Sequence, residues 1–98
     1  MAELRWAETA LADLAAIRDY LSQHSSTAGR RFVQECFNSA ETLALFPRQG
    51  RRVTEAHRED IRELIVQAHR VIDWTDGEHV KVMAIVHGRR EIAKINPK

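Results

Sequence analysis

The 98-residue chain reads as an α+β fold of order β-α-α-β-β-β, an N-terminal helical hairpin packed on a small antiparallel sheet. Three observations predict it. Apolar residues recur at helical spacing through the first half, Pro47 ends that pattern, and the second half holds three Val/Ile-rich runs, two of them flanking Asp76-Gly77. Helices that precede the strands, rather than alternate with them, form a layer over one face of a sheet. At this length one core is feasible and a second is not, so residues 1–98 are expected to form a single domain.

Glu3 to Trp6 opens the chain as a short strand. From about Ala7 to His24, the residues Leu11, Leu14, Ile17 and Leu21 lie three or four apart and make one stripe of an amphipathic helix. Ser25, Ser26, Thr27 and Gly29 interrupt it, and a hydroxyl here accepts from the free N–H groups of a second helix. The stripe of that helix is Phe32, Val33, Cys36, Phe37, Ala40, Leu43 and Ala44, and it runs to Phe46, where Pro47 removes a donor. A break this short folds the helices into an antiparallel hairpin. Arg48 to Arg58 has no period and is expected as an irregular connection with a short strand near Val53.

Ile61 to Val66, His69 to Trp74 and His79 to His87 are the remaining strands. Asp-Gly favours the positive φ angles of a type I′ hairpin turn. With Asp76 and Gly77 at its centre, Val71 faces Val82, His69 faces Ala84 and Asp73 faces Val80. Strand neighbours alternate, which sends Val71, Val80, Val82, Ala84 and Val86 toward the helices. Arg70, Ile72, Trp74, Lys81, Met83, Ile85 and His87 then share the open face. A second tight turn at Gln67-Ala68 places Ile65 opposite Arg70 and adds Ile61 and Glu63 to that face. So much exposed apolar surface calls for a covering partner, and the isolated chain is expected to be oligomeric or poorly soluble.

Fifteen basic and 14 acidic residues leave a net charge of +1. Glu3, Arg5, Glu8, Asp13, Arg18 and Asp19 break up any signal peptide or membrane span in the first twenty residues, so a cytoplasmic protein is expected. Only Lys81, Lys94 and Lys98 are lysine; the other bases are arginines, whose planar fork grips phosphate or carboxylate with two bonds. Cys36 is single, cannot form an internal disulfide, and is expected as a buried, inert thiol. His57, His69, His79 and His87 lack the spacing and companions of a metal site, and neither metal nor cofactor is expected. Trp6 and Trp74 are expected to pack rather than stack on bases.

The strings Ile61-Arg62-Glu63-Leu64, His69-Arg70-Val71-Ile72 and Val82-Met83-Ala84-Ile85-Val86-His87-Gly88-Arg89-Arg90 together resemble the ParE/RelE superfamily of type II toxin-antitoxin toxins. The spacing of Ala10, Asp13-Leu14, Ile17 and Tyr20, and the stretch from Phe46-Pro47 to Gly50-Arg51, is similar too, so the resemblance covers nearly the whole chain. It implies two helices over a curved antiparallel sheet. It also implies one of two activities: RelE-like members cleave mRNA in the ribosome, whereas ParE-like members block DNA gyrase and lack the nuclease residues. Metal-free RNA cleavage needs a base, cations for the phosphate and an acid for the departing oxygen. By the resemblance, Arg70 and Arg90 fall at the two nuclease arginines, but Ile61 and Glu63 stand at the lysine positions and Asn96 near the tyrosine. An acidic Glu63 would repel the scissile phosphate, which weights the chain toward the ParE-like branch.

The expected function is therefore the toxin of a type II toxin-antitoxin (plasmid stabilisation) system that inhibits DNA gyrase and forms a hetero-oligomer with a cognate antitoxin. Arg62, Arg70, Arg89, Arg90 and the tail from Glu91 to Lys98 are the expected target contacts. Ile61, Ile65, Ile72, Trp74, Met83 and Ile85 are the expected antitoxin contacts, through an amphipathic segment in an apolar groove or a strand added at a sheet edge. The alternative is a ribosome-dependent mRNA endonuclease using Arg70, His87 and Arg90; a third is a non-toxic binding module that dimerises through the open face. For Arg70 alone, a structural ion pair with Glu63 is the competing reading, and for His87 an exposed strand end.

Overall fold

A computed structural model, which describes residues 1–89, shows β1 (Glu3–Trp6), α1 (Glu8–Ser22), α2 (Ser26–Leu45), β2 (Arg51–Arg52), β3 (Ile61–Val66), β4 (His69–Thr75) and β5 (His79–His87). A 3₁₀ turn at Thr54–Ala56 lies between β2 and β3. The helical hairpin over a sheet is as the sequence predicts. The strand expected near Val53 forms just before it.

The strands make one sheet of order β1-β5-β4-β3-β2. It is mixed rather than wholly antiparallel, since β1 runs parallel to β5 with Leu4 beside Val80 and Trp6 beside Val82. Only a tight hairpin obliges neighbouring strands to oppose each other, and β1 reaches β5 after the whole helical hairpin and three other strands.

Ala10 and Leu14 of α1 and Phe32, Cys36 and Ala40 of α2 close over Val66, Val71, Val82 and Ile85 in one buried cluster. Trp6 packs beside it, its ring 4.8 Å from that of Phe37. The buried residues of α2, from Gly29 through Phe32, Cys36, Ala40 and Leu43, recur every three or four positions as the stripe requires. Ser25 caps α2, its hydroxyl accepting from the Ala28 N–H at 3.3 Å. Gly29 sits where the helices touch: a Cβ there would run into the Ser22 hydroxyl and the Arg18 carbonyl.

Gln67 and Ala68 make the expected two-residue turn, with Val66 opposite His69 and Ile65 opposite Arg70. The other hairpin differs. The Asp76 carboxylate accepts from the N–H groups of Glu78 at 2.9 Å and His79 at 2.7 Å, so the loop widens beyond two residues and Thr75 becomes the partner of Val80. Asp73 consequently lies opposite Val82, not Val80, and a further shift between Ile72 and Asp73 brings His69 opposite His87, not Ala84.

Farther along, Ile72 pairs with Ala84 while Asp73 pairs with Val82, leaving Met83 as a β-bulge. One extra residue reverses the facing of everything beyond it. Ile85 and His87 thereby turn to the helix side, and Ala84 and Val86 turn away, the reverse of the expected alternation. Two polar side chains of α1 engage the interrupted ladder: the Thr9 hydroxyl donates to the Met83 carbonyl at 2.8 Å, and the Ile85 N–H donates to the Asp13 carboxylate at 3.0 Å.

The face away from the helices is not open either. After α2 the chain adds β2 to the sheet edge beside β3, pairing Arg51 with Glu63, and then turns over this face. Val53 and Ala56 then pack on Ile61, Ile72 and Met83 in a second apolar cluster.

Candidate macromolecular interface

Arg70 stands on the expected side of β4, but it is buried, with only 7% of its surface exposed. Its Nη2 donates to Glu63 Oε1 at 2.6 Å and its Nη1 to Glu55 Oε2 at 2.8 Å. Glu63, opposite Ile72 on β3, also accepts from Arg51 Nη2 at 3.0 Å. Glu55 above all, then Glu63, raises the pKa of the guanidinium, which stays charged at any working pH. The structural ion pair with Glu63 is therefore what forms, with Glu55 of the 3₁₀ turn as a second carboxylate. Arg70 fastens that turn to the sheet instead of facing solvent.

Arg62 lies on the helix-facing side of β3, opposite Asp73. Its Nη1 donates to the Gly50 carbonyl at 3.0 Å, and its side chain is only 16% exposed, so it anchors the chain after α2. Asp73 is fully buried, and among the described residues neither of its oxygens has a hydrogen-bond partner. Burial pushes its carboxyl up from 3.8 to about 7, against the attraction of Arg62. At the sheet end, Arg58 grips Asp60 through Nε at 2.8 Å and Nη2 at 2.6 Å, and Trp74 Nε1 donates to the same carboxylate at 3.0 Å.

His87 is exposed at the end of β5 and accepts the Arg89 N–H on Nδ1 at 3.2 Å. The His69 ring lies between Phe32, 4.9 Å away, and His87, 5.6 Å away. Burial, and secondarily His87, lowers the His69 pKa. Arg89 is exposed, whereas Arg90 and the tail from Glu91 to Lys98 lie outside the described residues. His87 thus turns away from Arg70, to the opposite side of the sheet.

The six apolar candidates separate likewise. Ile61, Ile72 and Met83 are buried under the chain's own Val53 and Ala56, and Ile85 is buried under the helices because of the bulge. Trp74 is half-buried. Ile65 is 52% exposed and borders a groove of about 330 Å³ that runs past Glu35, Asn38, Ser39 and Gln67 to α2. Among the described residues, no group of three His, Cys, Asp or Glu side chains is placed to hold a metal ion.

A family model described as the ParE toxin of the type II toxin-antitoxin system parDE matches residues 4–92. The chain belongs to this family. Toxin RelE2 of Caulobacter vibrioides is 39% identical over 92 residues, a match that covers 92% of this chain and 99% of that protein. A chain from a structure titled as the chromosomal ParDE TA system from P. aeruginosa superposes with a TM-score of 0.71 at 22% identity, covering 89% of this chain and 96% of that one. The second likeness is one of fold. The resemblance to the ParE/RelE superfamily read from the residues is borne out, and with it the α+β class.

Among the described residues of this toxin the sequence-predicted cations Arg62, Arg70 and Arg89 do not converge. Arg70 and Arg62 are tied internally on opposite faces, while exposed Arg89 follows β5 beside the Gln67-Ala68 turn, where the Gly88 N–H donates to the Ala68 carbonyl at 2.8 Å. Glu55, Asp60 and the α1 pair Thr9 and Asp13 were not found from the sequence. Only Asp73 carried a signal, a carboxylate set between Ile72 and Trp74 inside a strand. No helix among the described residues is long and apolar enough to cross a membrane.

Proposed function

We propose that this ParE-family toxin inhibits DNA gyrase and is neutralised by a cognate antitoxin with which it forms a hetero-oligomer, in the manner of a plasmid-stabilisation system. The observation that carries this reading over RNA cleavage is the state of Arg70. A metal-free nuclease needs cations aimed at the phosphate and acid–base groups beside them. Here the Arg70 donors are turned onto Glu55 and Glu63, and a phosphate brought to them would meet two carboxylates. His87, the other proposed proton-transfer group, lies on the reverse of the sheet. Arg89 and Arg90 then make the proposed gyrase contact, and exposed Ile65 with its groove along α2 makes the proposed antitoxin seat, with Trp74 at the sheet end.

The RelE name of the Caulobacter relative keeps a second reading open, a ribosome-dependent mRNA endonuclease using Arg70, His87 and Arg90. Expression in a bacterium lacking antitoxin separates the two. Gyrase inhibition is expected to give filamentation, DNA-damage signalling and, with purified gyrase, accumulation of cleaved plasmid. Codon-specific cutting of ribosome-bound message, with gyrase unaffected, would reverse the assignment.

A further inference from the structure

β1 is an edge strand: among the described residues β5 flanks one side of it and no strand flanks the other. The Glu3 N–H donates to the Glu78 carbonyl and the Ala7 N–H to the Val82 carbonyl, each at 2.8 Å. Alternate residues of a parallel strand bond to the same side, so Glu3, Arg5 and Ala7 face β5 while Leu4 directs its N–H and C=O outward; the N–H of Ala2, on the same outward side, is taken by the Ala44 carbonyl at 2.7 Å, so the open stretch of the edge begins after it. Such an edge templates pairing with another strand. The side chains specify which. Leu4 lies on the helix side, and Glu3 and Arg5 project together on the other, joined by a bond of 3.0 Å from Arg5 Nε to Glu3 Oε1.

We infer that β1 is a self-association edge, where two copies of this chain pair antiparallel about a two-fold axis at Leu4. In that register the two Leu4 residues exchange both main-chain bonds, and each Glu3 lies directly opposite the Arg5 of the other copy. Opposite charges at facing positions stabilise an antiparallel pair, and like charges there destabilise it. The strand is thus complementary to its own reverse. The apolar surface beside it fits the same occupant: Met1, Leu4, Ala44 and Leu45 line an open groove of about 550 Å³ along the end of α2, and Met1, Leu45 and Phe46 are largely exposed. A second copy brings an identical apolar strip to this groove, in the self-complementary manner of a two-fold interface.

Light scattering on the purified chain between about 1 and 100 µM is expected to show a monomer–dimer equilibrium. Glu3→Arg alone, or Arg5→Glu alone, sets like charges opposite each other and is expected to weaken the dimer about tenfold or more. Mixing the two variants, or combining both changes in one chain, restores the facing pairs and is expected to restore the dimer. Circular dichroism unchanged from the parent separates these effects from misfolding, because both side chains are exposed. A chain that stays monomeric at about 100 µM, or single variants that dimerise as tightly as the parent, would overturn the inference. So would Leu4 amide protection from hydrogen exchange that appears only when antitoxin is added, which would assign the edge to that partner.

Discussion

Asp73 and His69 make the fold respond to pH in opposite directions. Unfolded, the Asp73 carboxyl loses its proton near 3.8; folded, burial retains it until about 7. Its contribution is therefore intact below about pH 4, declines as pH rises, and is at its worst above about pH 7. Asp73→Asn is expected to gain about 2 kcal/mol over the parent at about pH 8, and the gain should vanish by about pH 4, as measured by urea unfolding at each pH. His69 has a lowered pKa, so its contribution is present above 6.5 and lost as pH falls through the folded value. His87→Ala should raise the His69 midpoint in an NMR titration yet leave it below 6.5, because burial is the larger cause. Arg70 is the third such residue. Arg70→Gln strands the buried Glu63 carboxylate with only Arg51 and should cost about 3–5 kcal/mol, whereas Glu55→Gln, at a more exposed carboxylate, should cost less.

Two junctions decide how the elements fit. The bulge at Met83 leaves a carbonyl and an N–H for α1 to engage, and Thr9 and Asp13 sit one helical turn apart to do so. Thr9→Val keeps the shape but removes the donor, and should lower unfolding free energy by about 1 kcal/mol. The helices meet at Gly29, where a methyl group collides with main-chain and side-chain oxygens of α1. Gly29→Ala should cost about 1–3 kcal/mol despite its better helix propensity, because overpacking outweighs propensity where backbones touch. A melting temperature above the parent's would contradict that. The alternation of β5 misled beyond Met83 for the same reason: hydrophobic pattern records period, and a single inserted residue leaves no mark in a run of Val, Met, Ala and Ile.

For the whole molecule, the proposed target contacts are Arg89, exposed just after β5, and Arg90, next to it in sequence. Replacing Arg89 and Arg90 together by alanine is expected to abolish toxicity with the circular dichroism spectrum unchanged, and killing at the parent's rate by a folded variant would remove that surface from consideration. How much of this was legible follows the range of each interaction. Local patterns settled both helices, a hydroxyl cap for α2 among Ser25, Ser26 and Thr27, the break at Pro47 and the Gln67-Ala68 turn, since a period or a turn depends on residues only a few positions apart. They also carried the family resemblance, and they identified Glu63 as a partner for Arg70 through the register of adjacent strands. The parallel entry of β1, the wide Asp76 loop, the bulge and the passage of residues 53–56 over the sheet were settled only in three dimensions. The wide loop comes from a local choice, the Asp76 carboxylate taking the Glu78 and His79 N–H groups; each of the others depends on groups distant in sequence competing for the same buried space or the same unpaired main-chain atom. That competition moved Arg70, Ile61, Ile72 and Met83 from a surface to a core, and it left Ile65 and the basic end of β5 outside.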